Sequence, residues 1–412
     1  MTLSFMFITG IEDTFVVRTD RNSQRSLDEY ELTQHYYNWK EDLKMIANVG
    51  FKYIRYGIPW YLINKSPGKF DWSWTDQVFE HMEKIGLTPI VDFIHYGTPL
   101  WLDNAFINSG FPDYMAEYEL RTIERYKDFL KYYTPMNEPF ITQQYCGYLG
   151  IWPPYLKGSN GFAMILKNTA KGIVKSVSAI KREFPDVFAL HVEASGMFFT
   201  KDPQLKEFTE QQNELRFLTY DLITGKVNES HKLYNLLLDN GFSHEEIEWF
   251  ILNRIEIDGY GVNYYPQFSV YEVKKEGNSI KYHPFYGGND YLRKLLLTYS
   301  EKYGGPIFLT ETSINGGVEM QKKWWYESTE LMKELVNKGL DIKGYTWFPA
   351  IDLINWDYRY GNEPVEKYIE SMGFIKLGMN ASKKMVRKPT ELAENMKKTL
   401  AKWSLHHGNG SN

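Results

Sequence analysis

Apolar residues recur along this chain in two alternating rhythms. Short strand-like apolar runs are followed by longer stretches in which apolar positions repeat every three or four residues. The first run covers residues 3–9. Over 30–49, Leu32, Tyr36, Trp39, Leu43 and Ile46 recur at spacings of four and three. That spacing predicts a helix with one buried face, and Gly50 follows where a C-terminal glycine belongs. Further strands are expected at 51–60, 87–96, 134–139, 187–194, 257–265, 306–312 and 341–351. Helices are expected at 71–85, 112–130, 162–184, two or three within 205–254, then 290–303, 322–337 and 389–403. Trp324, Leu331, Met332 and Leu335 mark the inward face of the 322–337 helix. Residues 266–284 read as a hairpin turning at Lys275-Glu-Gly-Asn, and the tail from 406 to 412 as disordered.

Eight strands alternating with helices imply parallel pairing and an α/β fold. Eight units favour a closed (β/α)8 TIM barrel over an open doubly wound sheet. The glycine fingerprint of a dinucleotide site is missing after the first strand, which points the same way. No composition break marks a linker, so one barrel domain over 1–405 with loop insertions is expected. Chemistry on such a barrel sits at the C-terminal ends of the strands.

Composition narrows the function classes. A net charge of −5 gives no electrostatic footprint for nucleic acid or membrane, and no apolar run is long enough for a bilayer. The single cysteine, Cys146, excludes internal disulfides and fits a reducing, cytoplasmic setting. The N-terminus lacks a basic signal-peptide region. No Cys/His cluster has metal-ligand spacing, so neither metal nor cofactor is expected. Aromatics reach 17%, and flat aromatic faces suit a sugar cleft as well as a core.

The strand ends carry the candidate chemistry. Thr134-Pro-Met-Asn-Glu-Pro-Phe places Glu138 where Pro139 stops a ladder, and Pro306-Ile-Phe-Leu-Thr-Glu-Thr places Glu311 at another strand end. Two carboxylates so placed can divide acid/base and nucleophilic work at a glycosidic bond; helix caps or arginine pairs are the bland alternative. Arg55, inside an apolar run, needs a buried acceptor. His95 ends the third strand and is either a hydroxyl contact or a satisfied core histidine. By alternation Asp92 faces the other side and reads as structural. Glu193 is a third acid, open to substrate contact or helix capping. Asn263 and Tyr265 share a face, and a phenol can hold a carboxylate. Trp347 and Trp356 are candidates for a stacking floor and wall, with a core role as the alternative.

Taken together these residues resemble glycoside hydrolase family 1, the retaining β-glycosidases. Asn137-Glu138-Pro139 is similar to the acid/base motif, Thr310-Glu311 to the nucleophile motif, and Asn263-Tyr264-Tyr265 to the sixth-strand motif. Tyr53-Ile-Arg55, His95 with Pro99 and Leu102, Gly147 to Pro154, and Gly344 to Trp347 match further segments, so the resemblance runs from about Trp39 to Leu377. It implies that Glu311 attacks the anomeric carbon and that Glu138 protonates the leaving oxygen and then activates water. It also implies that Asn137 and His95 contact sugar hydroxyls, that Arg55 and Tyr265 hold the nucleophile, and that Trp347 lies beneath the ring.

The sequence also departs from the family. Glu12 stands where a first-strand glutamine is usual, Tyr96 where a tryptophan follows the histidine, and Thr312 where an asparagine follows the nucleophile. Asn355 precedes Trp356 where the family has a glutamate gripping the far hydroxyls of the sugar. One charged acceptor is thus expected to be lost, with β-fucoside accepted at least as well as β-glucoside. Arg359 either turns inward toward an anionic sugar or pairs with Asp357 or an acid in 362–370. The sequence reading is a retaining exo-β-glycosidase of the glucoside, galactoside or fucoside class, acting on a small glycoside or oligosaccharide. An endo-acting glycanase and an inactive carbohydrate-binding protein are the alternatives.

Overall fold

The structure, a computed structural model, describes residues 3–17 and 24–407. Eight parallel strands close a barrel: β1 (Met6–Gly10), β2 (Tyr53–Gly57), β3 (Thr88–Asp92), β4 (Tyr132–Thr134), β5 (Phe188–Ala194), β6 (Gly259–Asn263), β7 (Ile307–Thr312) and β8 (Ile342–Trp347). Each strand lies beside the one before it, and β8 returns to β1 with Met6 opposite Gly344 and Thr9 opposite Trp347. Parallel neighbours cannot be joined by a tight turn, so helices bridge them, and the (β/α)8 barrel expected from the alternation results.

The described residues pack as two compact units. One draws on 1–58, 72–91 and 308–412. Its helices include His35–Val49, Ser73–Ile85, Val318–Asn337 and Glu391–His407. Leu43, Ile46, Val78, Met82, Trp324 and Met396 are buried on their inward faces. The other draws on 59–71 and 92–307 and contains the long helices Phe111–Arg125 and Gly158–Glu183. Met115, Tyr118, Ile165 and Ile173 are fully buried there. Among the described residues no helix is long and apolar enough to cross a membrane.

Several element ends differ from the sequence expectation for local reasons. The first helix is split: Glu29–Leu32 stops, and Gln34 takes a left-handed φ of 59° before His35–Val49 begins. The fourth strand ends at Thr134, because Pro135 has no N–H for the ladder; Asn137 rejoins it through a bridge to Val192. The third ends at Asp92, four residues early. The 205–254 region forms three helices, Lys206–Ile223, Tyr234–Asp239 and His244–Leu252. The hairpin is present as Val270–Glu276 against Ser279–Pro284. A second hairpin, Ile375–Met379 against Met385–Pro389, was not foreseen. The closing helix runs to His407, so the first two residues of the expected tail are helical and 408–412 lie outside the described residues.

Candidate active site

Arg55 lies on β2 between Ile54 and Tyr56. Tyr56 points toward the helix layer, where its hydroxyl meets His35 Nε2 at 2.8 Å, so alternation turns Arg55 the other way. There its Nη1 donates to Glu311 Oε1 and, at 3.3 Å, to the Thr310 carbonyl. Both partners are buried, Arg55 at 1% and Glu311 at 4% exposure, so the ion pair compensates two charges that would otherwise be stranded. Gly10 stands opposite Arg55 in register. A Cβ there would fall 2.5 Å from the Phe348 ring, which also lies 5.5 Å from the guanidinium.

Trp347 is not beside this pair. It is fully buried, edge-on to Trp325 of the 318–337 helix at 6.1 Å, and its indole donates to the Met372 carbonyl at 3.2 Å. A ring enclosed in the helix layer cannot be a floor for sugar; one residue further on, alternation gives Phe348 that aspect instead. Thr312 likewise serves the helix layer, accepting from the Trp324 indole at 3.0 Å.

Glu138 follows β4 on a backbone tied to two neighbours: Asn137 N donates to Ile94 O at 2.9 Å and Glu138 N to Val192 O at 3.1 Å. Its φ of 41° is left-handed, and Pro139 then opens the short helix Pro139–Thr142. The carboxylate accepts from Tyr96 Oη on one oxygen and from Asn263 Nδ2 at 2.9 Å on the other. Burial pushes its pKa up; the Tyr96 and Asn263 donors and the nearby His95 pull it down, and Glu193 pushes it up. The balance is a carboxyl held above its ordinary range.

Neutral groups hold this neighbourhood in register. Asn137 Nδ2 donates to His95 Nε2 at 3.0 Å, and Asn263 Nδ2 reaches Asn137 Oδ1 at 3.3 Å. With Nε2 accepting, the proton of His95 sits on Nδ1, which faces Asp92 Oδ2 at 3.4 Å. The expectation that Asp92 faces away is therefore corrected: the strand ends at Asp92, and beyond it the chain no longer alternates. Tyr96 reaches Glu138 from a left-handed φ of 69°. Glu193 is fully buried and accepts from Phe140 N at 3.1 Å, which resolves its two readings toward a helix cap. Tyr265 is half-buried, its N–H donating to Ser269 Oγ at 2.9 Å and its ring 6.3 Å from Phe268.

The loop after β8 carries Asn355 and the half-buried Trp356 into a short 3-10 turn. Residues 353–354 pair with 369–370, bringing Glu370 beside Asn355. Asn355 Nδ2 donates to Glu370 Oε2 at 2.9 Å, and Asn315 Nδ2 to Oε1 at 2.7 Å. Thus a carboxylate, Glu370, lies against the Asn355 amide. Glu12, just beyond β1, is buried and accepts from the Thr14 amide at 3.1 Å and its hydroxyl at 2.5 Å. Arg359 is buried, with Nη1 donating to the Val16 and Arg25 carbonyls at 3.1 and 2.9 Å, a stapling role neither sequence alternative described.

Residues 9–370 match the profile of Glycosyl hydrolase family 1. The chain belongs to that family. This family 1 chain is 24% identical to a 6-phospho-beta-glucosidase of Clostridium longisporum, over 83% of its own length and 82% of the relative's. It is 22% identical to a 1,4-beta-D-glucan glucohydrolase of Thermotoga neapolitana, over 86% and 84%. A solved family 1 b-glucosidase from Thermotoga maritima, in complex with isofagomine lactam, superposes with a TM-score of 0.82 at 16% identity, covering 97% of each chain. That likeness carries the fold. The protein is thus a glycoside hydrolase on a TIM barrel. Three residues beside its candidate groups went unassigned in the sequence: Tyr96, seen only as a departure, Phe348, hidden behind Trp347, and Glu370, 15 positions from Asn355 in the chain. Only the last had no local signal at all.

Proposed function

We propose that this family 1 hydrolase is a retaining, exo-acting β-glycosidase for glucoside-type substrates, with Glu311 as nucleophile and Glu138 as acid/base. The observation that supports the reading is the unequal neutralisation of two buried carboxylates. Glu311 is paired with a guanidinium, which favours the anion a nucleophile needs. Glu138 is held by neutral donors with its pKa raised, which suits a group that must carry a proton.

In the first step a Glu311 oxygen bonds to the anomeric carbon while the bond to the leaving oxygen breaks and Glu138 gives that oxygen its proton. In the second, Glu138 takes a proton from water, the water oxygen bonds to the same carbon, and the ester to Glu311 breaks. Asn137 and His95 contact hydroxyls of the sugar, Asn263 orients Glu138, Tyr265 assists at the nucleophile, and Trp356 walls the sugar. The relatives named a 6-phospho-beta-glucosidase and a 1,4-beta-D-glucan glucohydrolase support a gluco-configured substrate.

The test is a panel of aryl β-glycosides with proton NMR of the first product. The β-anomer should appear first, and a slow 2-fluoro glycoside should label Glu311 in a peptide map. An α-anomer first, or no turnover of any member, would sink the reading, the latter leaving a binding protein. Short glucan oligosaccharides should lose one terminal sugar per event; internal cuts would point to endo-action.

A further inference from the structure

Resting on the glycosidase reading, we propose that Glu193 is a positioning residue for the acid/base: its carboxyl fixes where Glu138 stands without touching the sugar. The backbone through Glu138 is tied to β5 link by link. Asn137 pairs with Val192, and Glu138 N donates to Val192 O at 3.1 Å. Pro139 has no N–H to continue the series. The next donor is Phe140 N, and it goes to the Glu193 side chain, at 3.1 Å from Oε1. The same oxygen accepts from Ala194 N at 3.0 Å, so one carboxyl oxygen clamps β5 to the turn that carries the acid/base. The clamp matters there because Glu138 is held at a left-handed φ of 41°. Released, the turn would relax toward an ordinary φ, and a displacement of about 1 Å can cost roughly 100-fold in rate.

Glu193 faces the helix layer and not the barrel interior. His191 lies two residues earlier on the same face of β5, and its ring meets Tyr220 of the helix Lys206–Ile223 edge-on at 4.7 Å. Glu193 Oε2 lies 3.8 Å from His191 Nε2, and neither atom has a hydrogen-bond partner among the described residues. Both residues are fully buried. A buried carboxyl with one oxygen spent on backbone amides and the other turned to a buried histidine costs stability that a packed apolar residue would not. It stands where the acid/base turn is anchored. Burial pushes the Glu193 carboxyl well above its ordinary range, against the pull of the two amides, and holds His191 down to about 3, so the pair favours its uncharged forms. A glutamine therefore reproduces what the clamp needs, a carbonyl oxygen at the same reach.

The test reads kcat/KM for phenyl and dinitrophenyl β-glucosides in Glu193→Leu, Glu193→Gln, Glu138→Gln and the double variant of Glu138→Gln with Glu193→Leu, each checked by thermal melt. Glu193→Leu should lose roughly 30- to 100-fold on the phenyl glucoside, whose leaving group needs the proton, and about threefold or less on the dinitrophenyl one. Glu193→Gln should regain most of that loss. In the Glu138→Gln background, Glu193→Leu should cost about threefold or less on either substrate, since the group it positions is gone. Where Glu193→Leu does not fold, Glu193→Asp, whose shorter reach draws the oxygen off Phe140 N, is read in the same way. Equal losses on both substrates, a Glu193→Gln as damaging as Glu193→Leu, or a full further loss on top of Glu138→Gln would each overturn the clamp. Glu138→Gln alone separates the two proposals. Equal loss on both substrates there removes the acid/base reading; unequal loss there, with equal loss from the Glu193 change, removes the clamp and keeps the acid/base.

Discussion

Glu311, near the end of β7, and Glu138, past the end of β4, are both buried carboxylates, but their surroundings neutralise them by different means. A cation, Arg55, meets Glu311, while a phenol and an amide meet Glu138. A buried ion pair stabilises the charged form outright; neutral donors offset only part of the desolvation, and Glu138 keeps a raised pKa. The contrast gives the two carboxyls of one barrel different electrostatic settings, which is what the proposed division of roles requires.

The sharpest way to break the contrast is Glu311→Gln. It should lower kcat by roughly 10⁴-fold or more at every pH, since no other group can form the ester. Residual activity that tracks Glu138 titration would mean the roles are reversed. Next in size, Glu138→Gln should cost roughly 10²–10⁴-fold on substrates with poor leaving groups. A dinitrophenyl glycoside should suffer far less in single-turnover glycosylation, and an equal loss on both would count against proton delivery by Glu138.

Stability tests the other side of the comparison. Arg55→Met strands a buried carboxylate and should cost about 3–5 kcal/mol in urea unfolding. Asn263→Ala removes one neutral donor and should cost about 1–3 kcal/mol. Equal losses would show that the guanidinium is not the special element. The smallest effect is a pH shift in Tyr96→Phe. Tyr96 donates to the charged form of Glu138, so its loss should raise that carboxyl further and keep it protonated to higher pH. The alkaline limb of kcat/KM should therefore move up; a move down would show that the phenol acts on the protonated form.

Much of this molecule was legible in its sequence because barrels repeat. The alternation of apolar rhythms located all eight strands, and Gly50 marked a helix end that the structure keeps, whereas the fourth strand stops before Pro135 and not at Pro139. The Arg55–Glu311 pair was foreseeable, because a guanidinium in an apolar run has few acceptors. Where alternation breaks, inference failed. Asp92 was misplaced because β3 ends on it, and Trp347 because the site begins one residue beyond β8. Glu370 was out of reach for a different reason: its partner Asn355 meets it only through the pairing of 353–354 with 369–370. Two-residue strands leave no periodicity to read.

The bond between Tyr96 and Glu138 joins two residues that both occupy left-handed backbone conformations, at φ 69° and 41°. Such conformations cost non-glycine residues about 1–3 kcal/mol each, and the surrounding fold must overrule them. The fold therefore holds two residues here in conformations that local backbone preference disfavours. Glu138→Gly would relieve one of the two strained positions and delete a buried acid together. The variant should be inactive and yet melt at a higher temperature than its parent. A lineage released from catalysis would drift toward that sturdier state, which gives a physical route from an enzyme of this design to a silent sugar-binding descendant.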